Sequence, residues 1–233
     1  MKPLTLNEHA NADALAEAMA AALAAAIREG VARRGSAWLA LAGGSTPFAA
    51  YRQLAAMDLP WQDVNLVATD ERWVPVSHAK RNEAALREAF AKANGLQLHP
   101  LVPDRADGPP NTEAALHSLA LLGGRPFDAV LLGMGGDAHI ASLFPGVTPQ
   151  DGLDPASRSA AIAVTPDPLP PEAPYARVSL CVSRLIAART LLLMLVGTTK
   201  RDVLHAARER SPSDAPVNAV LAAAPDLAIH WSP

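Results

Sequence analysis

The segment VLLGMGGDAH, residues 130–139, begins as an apolar strand and ends with an acid and a histidine. Three glycines stand between the apolar part and these two side chains, and glycine lets the backbone approach a ligand closely. In α/β proteins, ligands collect where the carboxyl ends of strands open into loops. Because histidine changes its charge near neutral pH, His139 can take or give a proton at such a place. The segment therefore predicts an α/β fold with a catalytic loop at one strand end.

Other apolar runs of strand length alternate with helix-length segments along the chain. Strands are predicted at residues 37–41, 64–69, 129–132, 160–164 and 190–196, and helices at 12–29, 47–56, 82–93, 112–122 and 199–208. Short, continuously apolar strands between helices indicate a parallel sheet that is covered on both faces. The predicted fold class is therefore α/β, with a Rossmann-like parallel sheet and helices on both faces, and residues 1–233 are expected to form one domain.

Two further regions predict a small subdomain or an antiparallel edge beside this sheet. Residues 145–175 contain 8 of the 21 prolines and are expected to be mostly loop around one short strand. Residues 175–184 alternate polar and apolar side chains, which predicts a half-exposed strand with antiparallel pairing as one option. Residues 226–231 are expected to form a closing edge strand.

Composition limits the classes of partner. The chain has 20 basic and 23 acidic residues, a formal net charge of -3, which argues against a broad surface for nucleic acid or anionic membranes. Any anion must then be bound by a local pocket. A single cysteine, Cys181, excludes an internal disulfide and a multi-cysteine metal site, and suits a reducing cytosol.

The alanine-rich run at residues 18–27 is expected to be part of an amphipathic helix. Asn11 is a plausible cap for that helix, and acidic residues precede the run, so a signal peptide is not indicated. No apolar segment is long enough to cross a bilayer. We therefore expect a cytoplasmic protein.

The segment GGSTP, residues 43–47, predicts a place for an anion. A strand ends there, Gly43 and Gly44 turn the chain, and a helix is expected to begin with Thr46 as cap and Pro47 at its first position. The free N–H groups and the dipole of a helix start favour an anion, and the Ser45 hydroxyl can add a donor. The alternative is an ordinary strand-to-helix turn. The segment is not a P-loop, because the Gly-Lys-Ser/Thr ending is missing.

Two further strand ends are followed by cations. Arg72 offers several donors to a phosphate or carboxylate, and Asp70 beside it can accept a bond from a sugar hydroxyl. The alternative for residues 70–72 is an internal salt bridge, in which Arg72 pairs with Asp70 or with Glu71. Lys200 lies at a predicted helix start, where the helix dipole disfavours a lysine. This position indicates a nearby anion, and the alternative is a solvated lysine.

Asp137 has several possible roles, and the glycines around it match a second known pattern. The side chain can orient the His139 imidazole or contact a sugar hydroxyl, or it can cap a following helix. Residues 133–138 also fit the dinucleotide-binding glycine pattern, but Pro145 and Gly146 arrive too soon for the long helix which that site requires. A serine-hydrolase Gly-x-Ser-x-Gly elbow is absent from the sequence.

Residues 41–47, 70–75 and 130–146 together resemble the 6-phosphogluconolactonase family, in the right order and over nearly the whole chain. Two departures stand out. Ala138 occupies a position where the family usually has glycine, and Lys80 and Arg81 precede Asn82 where the family usually has an acid and a serine. We predict that Ala138 nevertheless adopts an allowed conformation, with φ below zero.

The resemblance implies hydrolysis of 6-phospho-D-glucono-1,5-lactone to 6-phosphogluconate in the oxidative pentose phosphate pathway. His139 would be the general base on water, backbone N–H groups of the glycine loop would stabilise the oxyanion, and Asp137 is the second catalytic candidate. The implied substrate-binding residues are Gly43, Gly44, Ser45, Thr46, Asp70, Arg72 and Lys200. Arg177 and Asn82 match family positions without an assigned role.

The resemblance requires no metal and no organic cofactor. It implies a small sugar phosphate as the partner, with no nucleic acid and no membrane, in a monomer or small homo-oligomer. Two alternatives remain at this point. A related aminosugar-phosphate isomerase and deaminase family carries a glutamate five residues after its histidine, where this chain has Phe144. A non-catalytic sugar-phosphate sensor is the other alternative.

Overall fold

A computed structural model describes residues 4–169 and 174–233. Within them the strands are β1 (Leu6–Glu8), β2 (Ala37–Leu41), β3 (Val64–Ala68), β4 (Asp70–Arg72), β5 (Gln97–Leu98), β6 (Phe127–Leu132), β7 (Ala161–Val164), β8 (Arg177–Leu180), β9 (Ala188–Val196) and β10 (Ala228–Ser232). The α-helices are α1 (Ala12–Arg34), α2 (Phe48–Ala55), α3 (Asn82–Ala89), α4 (Glu113–Ala120), α5 (Gln150–Leu153), α6 (Val182–Leu185), α7 (Thr198–Ala207) and α8 (Val217–Ala223).

Seven strands form one parallel sheet in the order β1-β10-β9-β6-β2-β3-β5. Every residue of the central strands β2 and β6 is buried, as expected for strands in a sheet that is flanked by helices. The predicted α/β class and parallel sheet are confirmed. Because the strands are parallel, their carboxyl ends meet at one edge, where the loops after β2, β3, β6 and β9 lie.

A second sheet of three antiparallel strands, β4-β8-β7, follows the carboxyl end of β3. It is joined to the main sheet at Thr69, whose carbonyl accepts a bond from the Leu180 N–H at 2.9 Å. Two expectations were wrong here. The strand predicted at 160–164 belongs to this small sheet rather than to the parallel one, and β8 is buried along its whole length rather than half-exposed.

Helix α1 shows how the sequence builds the core. The Asn11 side chain accepts a bond from the Ala14 N–H, which confirms the predicted cap, and Gly35 ends the helix in the left-handed conformation at φ 73°. The helix buries one stripe of side chains spaced four residues apart: Leu15, Met19, Leu23 and Ile27. Burying each such side chain stabilises the fold by about 1.5–3 kcal/mol.

The segment predicted as a closing edge strand lies inside the sheet. β10 is hydrogen-bonded on one side to β9 and on the other to β1, a three-residue strand that the sequence did not indicate. β1 is therefore the edge. None of the helices in the described residues is long and apolar enough to cross a membrane.

Candidate active site

A cavity of about 330 Å³ opens at the carboxyl edge of the main sheet. Its wall brings together residues from four separate segments that the sequence analysis predicted to form the site. They are Gly43, Gly44, Ser45, Thr46, Asp70, Arg72, His139 and Lys200. Further wall residues had no predicted role, namely Asn82, Ser142, Phe144 and Arg177. Asp137 is not part of the wall and reaches the site only through His139.

His139 is held by the carboxylate two residues before it. Asp137 Oδ1 lies 2.6 Å from His139 Nδ1 and also accepts a bond from the His139 N–H at 3.1 Å. Burial raises the pKa of Asp137, but the hydrogen bonds and charge of His139 outweigh it and leave that pKa below its usual value. With Nδ1 engaged, Nε2 is the ring nitrogen that can exchange a proton with a reactant.

The alternative role of Asp137 as a helix cap is wrong. The next helix after Asp137 is α5, which begins at Gln150. The loop between them is held by its own turns and by a distant segment of the chain. The Gly135 N–H donates to the His139 carbonyl at 2.9 Å, and the Val217 N–H donates to the Ala138 carbonyl at 3.1 Å. The Gly135 N–H is therefore already engaged and is not a donor for an oxyanion.

Our prediction for Ala138 was wrong, because its φ is 69°. Ala141 also lies in the left-handed region, at φ 47°. An alanine in this region costs about 1–2 kcal/mol relative to ordinary backbone. The Ala138 methyl is fully buried, and the carbonyl is fixed by Val217, so packing and a hydrogen bond hold the residue there. The loop that carries His139 is strained at two positions.

Two glycines of the site are required by what packs against them. A Cβ on residue 135 would collide with the His139 ring, and a Cβ on residue 43 would collide with the Asn82 side chain. Asn82 is the first residue of α3, and its Nδ2 donates to the Asp70 carbonyl at 2.8 Å. Glycine at 43 thus lets β2 approach the turn that carries Asp70.

Arg72 and Arg177 face each other across the β4–β8 pair and both line the cavity. Burial, and after it the positive charge of Arg72, lower the pKa of Arg177 from its usual value, although Asp70 and Glu71 act in the opposite direction. Two like charges at directly opposed positions repel each other. An anion bound between them would relieve this repulsion, so the pair favours a negatively charged ligand.

The alternative of an internal salt bridge for Arg72 is not what the structure has. The Arg72 guanidinium donates to the Lys80 carbonyl at 2.6 Å, and Glu71 lies instead beside Arg81, with Nε 3.6 Å from Oε2. Glu71 accepts backbone bonds from Arg72, Asn82 and Glu83 at 2.7–2.8 Å. It thereby ties β4 to the start of α3 and fixes the cavity rim.

Lys200 lies in the first turn of α7, and burial lowers its pKa from the usual value. The start of this helix is supported by β10: the Gly197 N–H donates to the Ser232 carbonyl, and the Trp231 indole N–H donates to the Gly197 carbonyl, both at 2.9 Å. A bound anion would stabilise a half-buried lysine that lies at a helix start on a cavity wall.

The predicted cap of α2 was wrong in detail. The helix begins at Phe48, with Pro47 rather than Thr46 as its cap residue, and no side chain caps it. Thr46 is therefore not used as a helix cap and lies on the cavity wall with Gly44, which has φ 82°.

Residues 10–231 match the family described as glucosamine-6-phosphate isomerases/6-phosphogluconolactonase. The chain belongs to this family. It is 36% identical over 228 residues to the 6-phosphogluconolactonase of Rhizobium meliloti, covering 96% of both chains. It is 35% identical over 204 residues to the 6-phosphogluconolactonase of Caulobacter vibrioides, covering 87% of both.

Solved structures of the family share the fold. A 6-phosphogluconolactonase from Shewanella baltica OS155 superposes with a TM-score of 0.87 at 29% identity, covering 100% of this chain and 99% of the other. A monomeric glucosamine-6-phosphate deaminase has a TM-score of 0.76 at 19% identity, which shows the shared fold alone. The family description itself names both enzyme activities that the sequence left open.

Neither Cys181 nor a cluster of acidic residues adds a second reactive site in the part of the chain that the structure describes. Burial, aided by the charge of Asp151, raises the pKa of the Cys181 thiol to about 12, so the thiol is unreactive and contributes only packing. No group of three or more His, Cys, Asp or Glu side chains suited to a metal ion occurs in residues 4–169 and 174–233.

Proposed function

We propose that this protein hydrolyses 6-phospho-D-glucono-1,5-lactone to 6-phospho-D-gluconate, the lactone step of the oxidative pentose phosphate pathway. One observation carries the proposal: His139, whose ring is bonded to Asp137, and three cations, Arg72, Arg177 and Lys200, line a single cavity. Hydrolysis of a lactone that carries a phosphate group needs both a site for the anion and a proton acceptor for the attacking water. The curated relatives at 35–36% identity are named 6-phosphogluconolactonase, which supports the same assignment.

In the proposed reaction, His139 Nε2 takes a proton from a water molecule as the water oxygen attacks the lactone carbonyl carbon. The carbonyl oxygen becomes an oxyanion in the tetrahedral intermediate. When the intermediate collapses, the bond between the carbonyl carbon and the ring oxygen breaks, and the imidazolium returns its proton to that oxygen. Asp137, bonded to Nδ1, holds the ring in one tautomer and stabilises the imidazolium between the two steps.

The remaining wall residues bind and orient the substrate. Arg72 and Lys200 hold the phosphate together with residues 43–46, and Asp70 accepts a bond from a sugar hydroxyl. Fixing the phosphate places the carbonyl carbon at a set distance from His139, and such positioning supplies a large part of a rate enhancement. The ester carbonyl is itself electrophilic, so the proposed reaction uses neither a metal nor an organic cofactor.

The deciding experiment compares two reactions of the purified protein. Hydrolysis of 6-phosphogluconolactone is followed by acid release and corrected for spontaneous ring opening, and ammonia release from glucosamine 6-phosphate is measured in parallel. We expect turnover of the lactone and none of the amine. Ammonia release would favour the isomerase and deaminase activity, and binding of 6-phosphogluconate without either turnover would favour a sensor.

The cellular compartment, the oligomeric state and the range of partners are also proposals. We place the enzyme in the cytoplasm, as a monomer or small homo-oligomer that binds neither nucleic acid nor membranes. The chain's net charge of -3 and its single cysteine support this setting. Size-exclusion chromatography with light scattering tests the oligomeric state.

A further inference from the structure

Ser142 is a buried cavity residue to which the proposed reaction gives no role. Its side-chain hydroxyl donates to Asp70 Oδ2 at 2.6 Å, and its N–H donates to the Ser179 hydroxyl at 3.2 Å. Only 2% of Ser142 is exposed. Through these bonds the loop that carries His139 is attached to two strands of the small sheet, β4 and β8.

The residue before Ser142 has an unfavourable backbone conformation. Ala141 adopts φ 47°, an arrangement that costs energy for any residue with a Cβ. Such strain persists only where the surroundings enforce it. The bonds from Ser142 to Asp70 and Ser179 follow directly after the strained residue, and they supply that enforcement.

The contact with Ser142 also orients the Asp70 carboxylate. Its Oδ1 accepts a bond from the Thr69 hydroxyl at 3.2 Å, while Oδ2 accepts the bond from Ser142. Both oxygens of this carboxylate are thus oriented by hydroxyl donors, and the residue lines the cavity beside Arg72. Because a hydrogen bond to a charged acceptor is stronger than one between neutral groups, the bond from the Ser142 hydroxyl holds the loop firmly to β4.

We propose that Ser142 is a positioning residue that fixes the distance between the general base and the substrate-binding edge of the small sheet. His139 is three residues away on the same loop, and Asp70 and Arg72 lie on β4. The link therefore joins the group that moves the proton to the groups that hold the sugar and its phosphate. This inference rests on the proposed function, because it assigns Ser142 a part in that reaction.

The chain offers a matched control for Ser142. Ser118 is also 2% exposed and its hydroxyl also donates at 2.6 Å, to the Pro100 carbonyl, but it lies on α4 outside the cavity. S142A and S118A each remove one buried hydroxyl that makes one bond of the same length. A loss caused by destabilisation alone would appear in both variants.

The test measures kcat and KM for the lactone in wild type, S142A, S118A and S142T, together with unfolding by urea. In S142A we expect kcat to fall roughly 10- to 100-fold, the effect of a misplaced catalytic group, with KM changed less than about threefold. S118A should keep wild-type kcat, and S142T, which retains the hydroxyl, should recover most of the activity. Equal kinetic loss in S142A and S118A, or unchanged kcat in S142A, would overturn the proposal.

A second readout does not depend on turnover. The ¹⁵N chemical shifts of the His139 imidazole, recorded without substrate, should move in S142A and stay at wild-type values in S118A. If wild type hydrolyses no lactone, the proposed function fails while these shifts still decide whether Ser142 positions His139. Unchanged imidazole shifts in a folded S142A would refute the positioning role even if the wild type is active.

Discussion

The imidazole of His139 occupies the space that a Cβ on residue 135 would fill. The same ring is bonded to Asp137, so it cannot move aside without breaking the 2.6 Å contact. Glycine at position 135 is therefore a condition for the placement of His139, the proposed general base. No left-handed backbone is involved, because the φ of Gly135 is not positive.

Gly135→Ala should lower kcat by roughly 100-fold, because the added methyl displaces the imidazole, while affinity for 6-phosphogluconate is kept by the cations. Steady-state kinetics and calorimetry of product binding measure the two effects. Gly136→Ala is the matched control, since a Cβ there meets nothing within 4 Å and the backbone is not left-handed. Equal losses of kcat in both variants would show that the loop tolerates a side chain at neither position. That result would contradict a specific role for Gly135.

His139→Asn should lower kcat by about 10²–10⁴-fold, the usual share of general acid–base catalysis. Asp137→Asn should cost less, because the imidazole is retained and only its orientation is weakened. Binding of 6-phosphogluconate should survive in both, since the cations lie on other segments. A wild-type kcat in His139→Asn would place the base elsewhere, with Asp70 as the next carboxylate on the cavity wall.

Lys200→Ala and Arg72→Ala should each raise KM about 10- to 100-fold, because a hydrogen bond to a charged group contributes about 1.5–3 kcal/mol. Unphosphorylated gluconolactone should be a poor substrate for the wild type. Lys92→Ala removes an exposed lysine outside the cavity and should leave KM unchanged. Equal turnover of both lactones by the wild type would remove the phosphate site from the mechanism.

Ala138→Gly tests the strain in the loop that carries His139. Glycine relieves about 1–2 kcal/mol of left-handed strain, but it also loses a buried methyl and adds flexibility to the unfolded chain. We expect a change in the free energy of unfolding of less than about 1 kcal/mol. Ala40→Gly, in strand β2 and equally buried, has no strain to relieve and should destabilise by more. Equal costs in urea unfolding would show that position 138 carries no strain.

Glu71 gives the stability a pH dependence. Burial raises its pKa from 4.5 to about 7, against the backbone donors Asn82, Glu83 and Arg72 and the charge of Arg81. Between these values the folded protein binds more protons than the unfolded chain, so this contribution favours folding below about pH 4.5 and is lost as pH rises through 7. The full change is roughly 3 kcal/mol.

The measurement is urea unfolding of wild type and Glu71→Gln between pH 5 and pH 8. Because glutamine does not titrate, the stability of wild type relative to the variant should decline as pH rises. Glu209→Gln, at an exposed position, should follow the wild-type curve. A wild-type advantage that grows with pH would reverse the sign assigned to Glu71.

The main sheet was predictable because its central strands are continuously apolar, and the structure reproduces residues 37–41 without change. The polar strand β4 and the three-residue β1 could not be predicted, since both are strands only by virtue of their partners, β8 and β10. For the same reason the order of strands in the sheet, and hence the interior place of β10, is not readable from local pattern. That residues 1–233 form one domain stays a prediction.

The parts of the cavity wall that directly follow strands were predictable from local sequence. Glycines, cations and a histidine directly after apolar strands predicted the cavity wall, because strand ends converge at one edge of a parallel sheet. Arg177 and Ser142 had no assigned role, since each acquires its place from a contact more than 70 residues away along the chain, Ser142 with Asp70 and Arg177 with Arg72. The φ of Ala138 was mispredicted because local preference favours negative φ, and the bond from Val217 overrides it.

The pairing of β1 with β10 also sets an order of events during synthesis. Residues 6–8 leave the ribosome early, yet their partner strand is not available until residues 228–232 have emerged. The support of Lys200 by Trp231 and Ser232, through Gly197, comes at the same late moment. Domains fold as units as the chain is made, so a nascent chain that lacks β10 has neither a completed sheet nor the contacts that support the start of α7. The proposed binding of a sugar phosphate would therefore depend on β10 having been made.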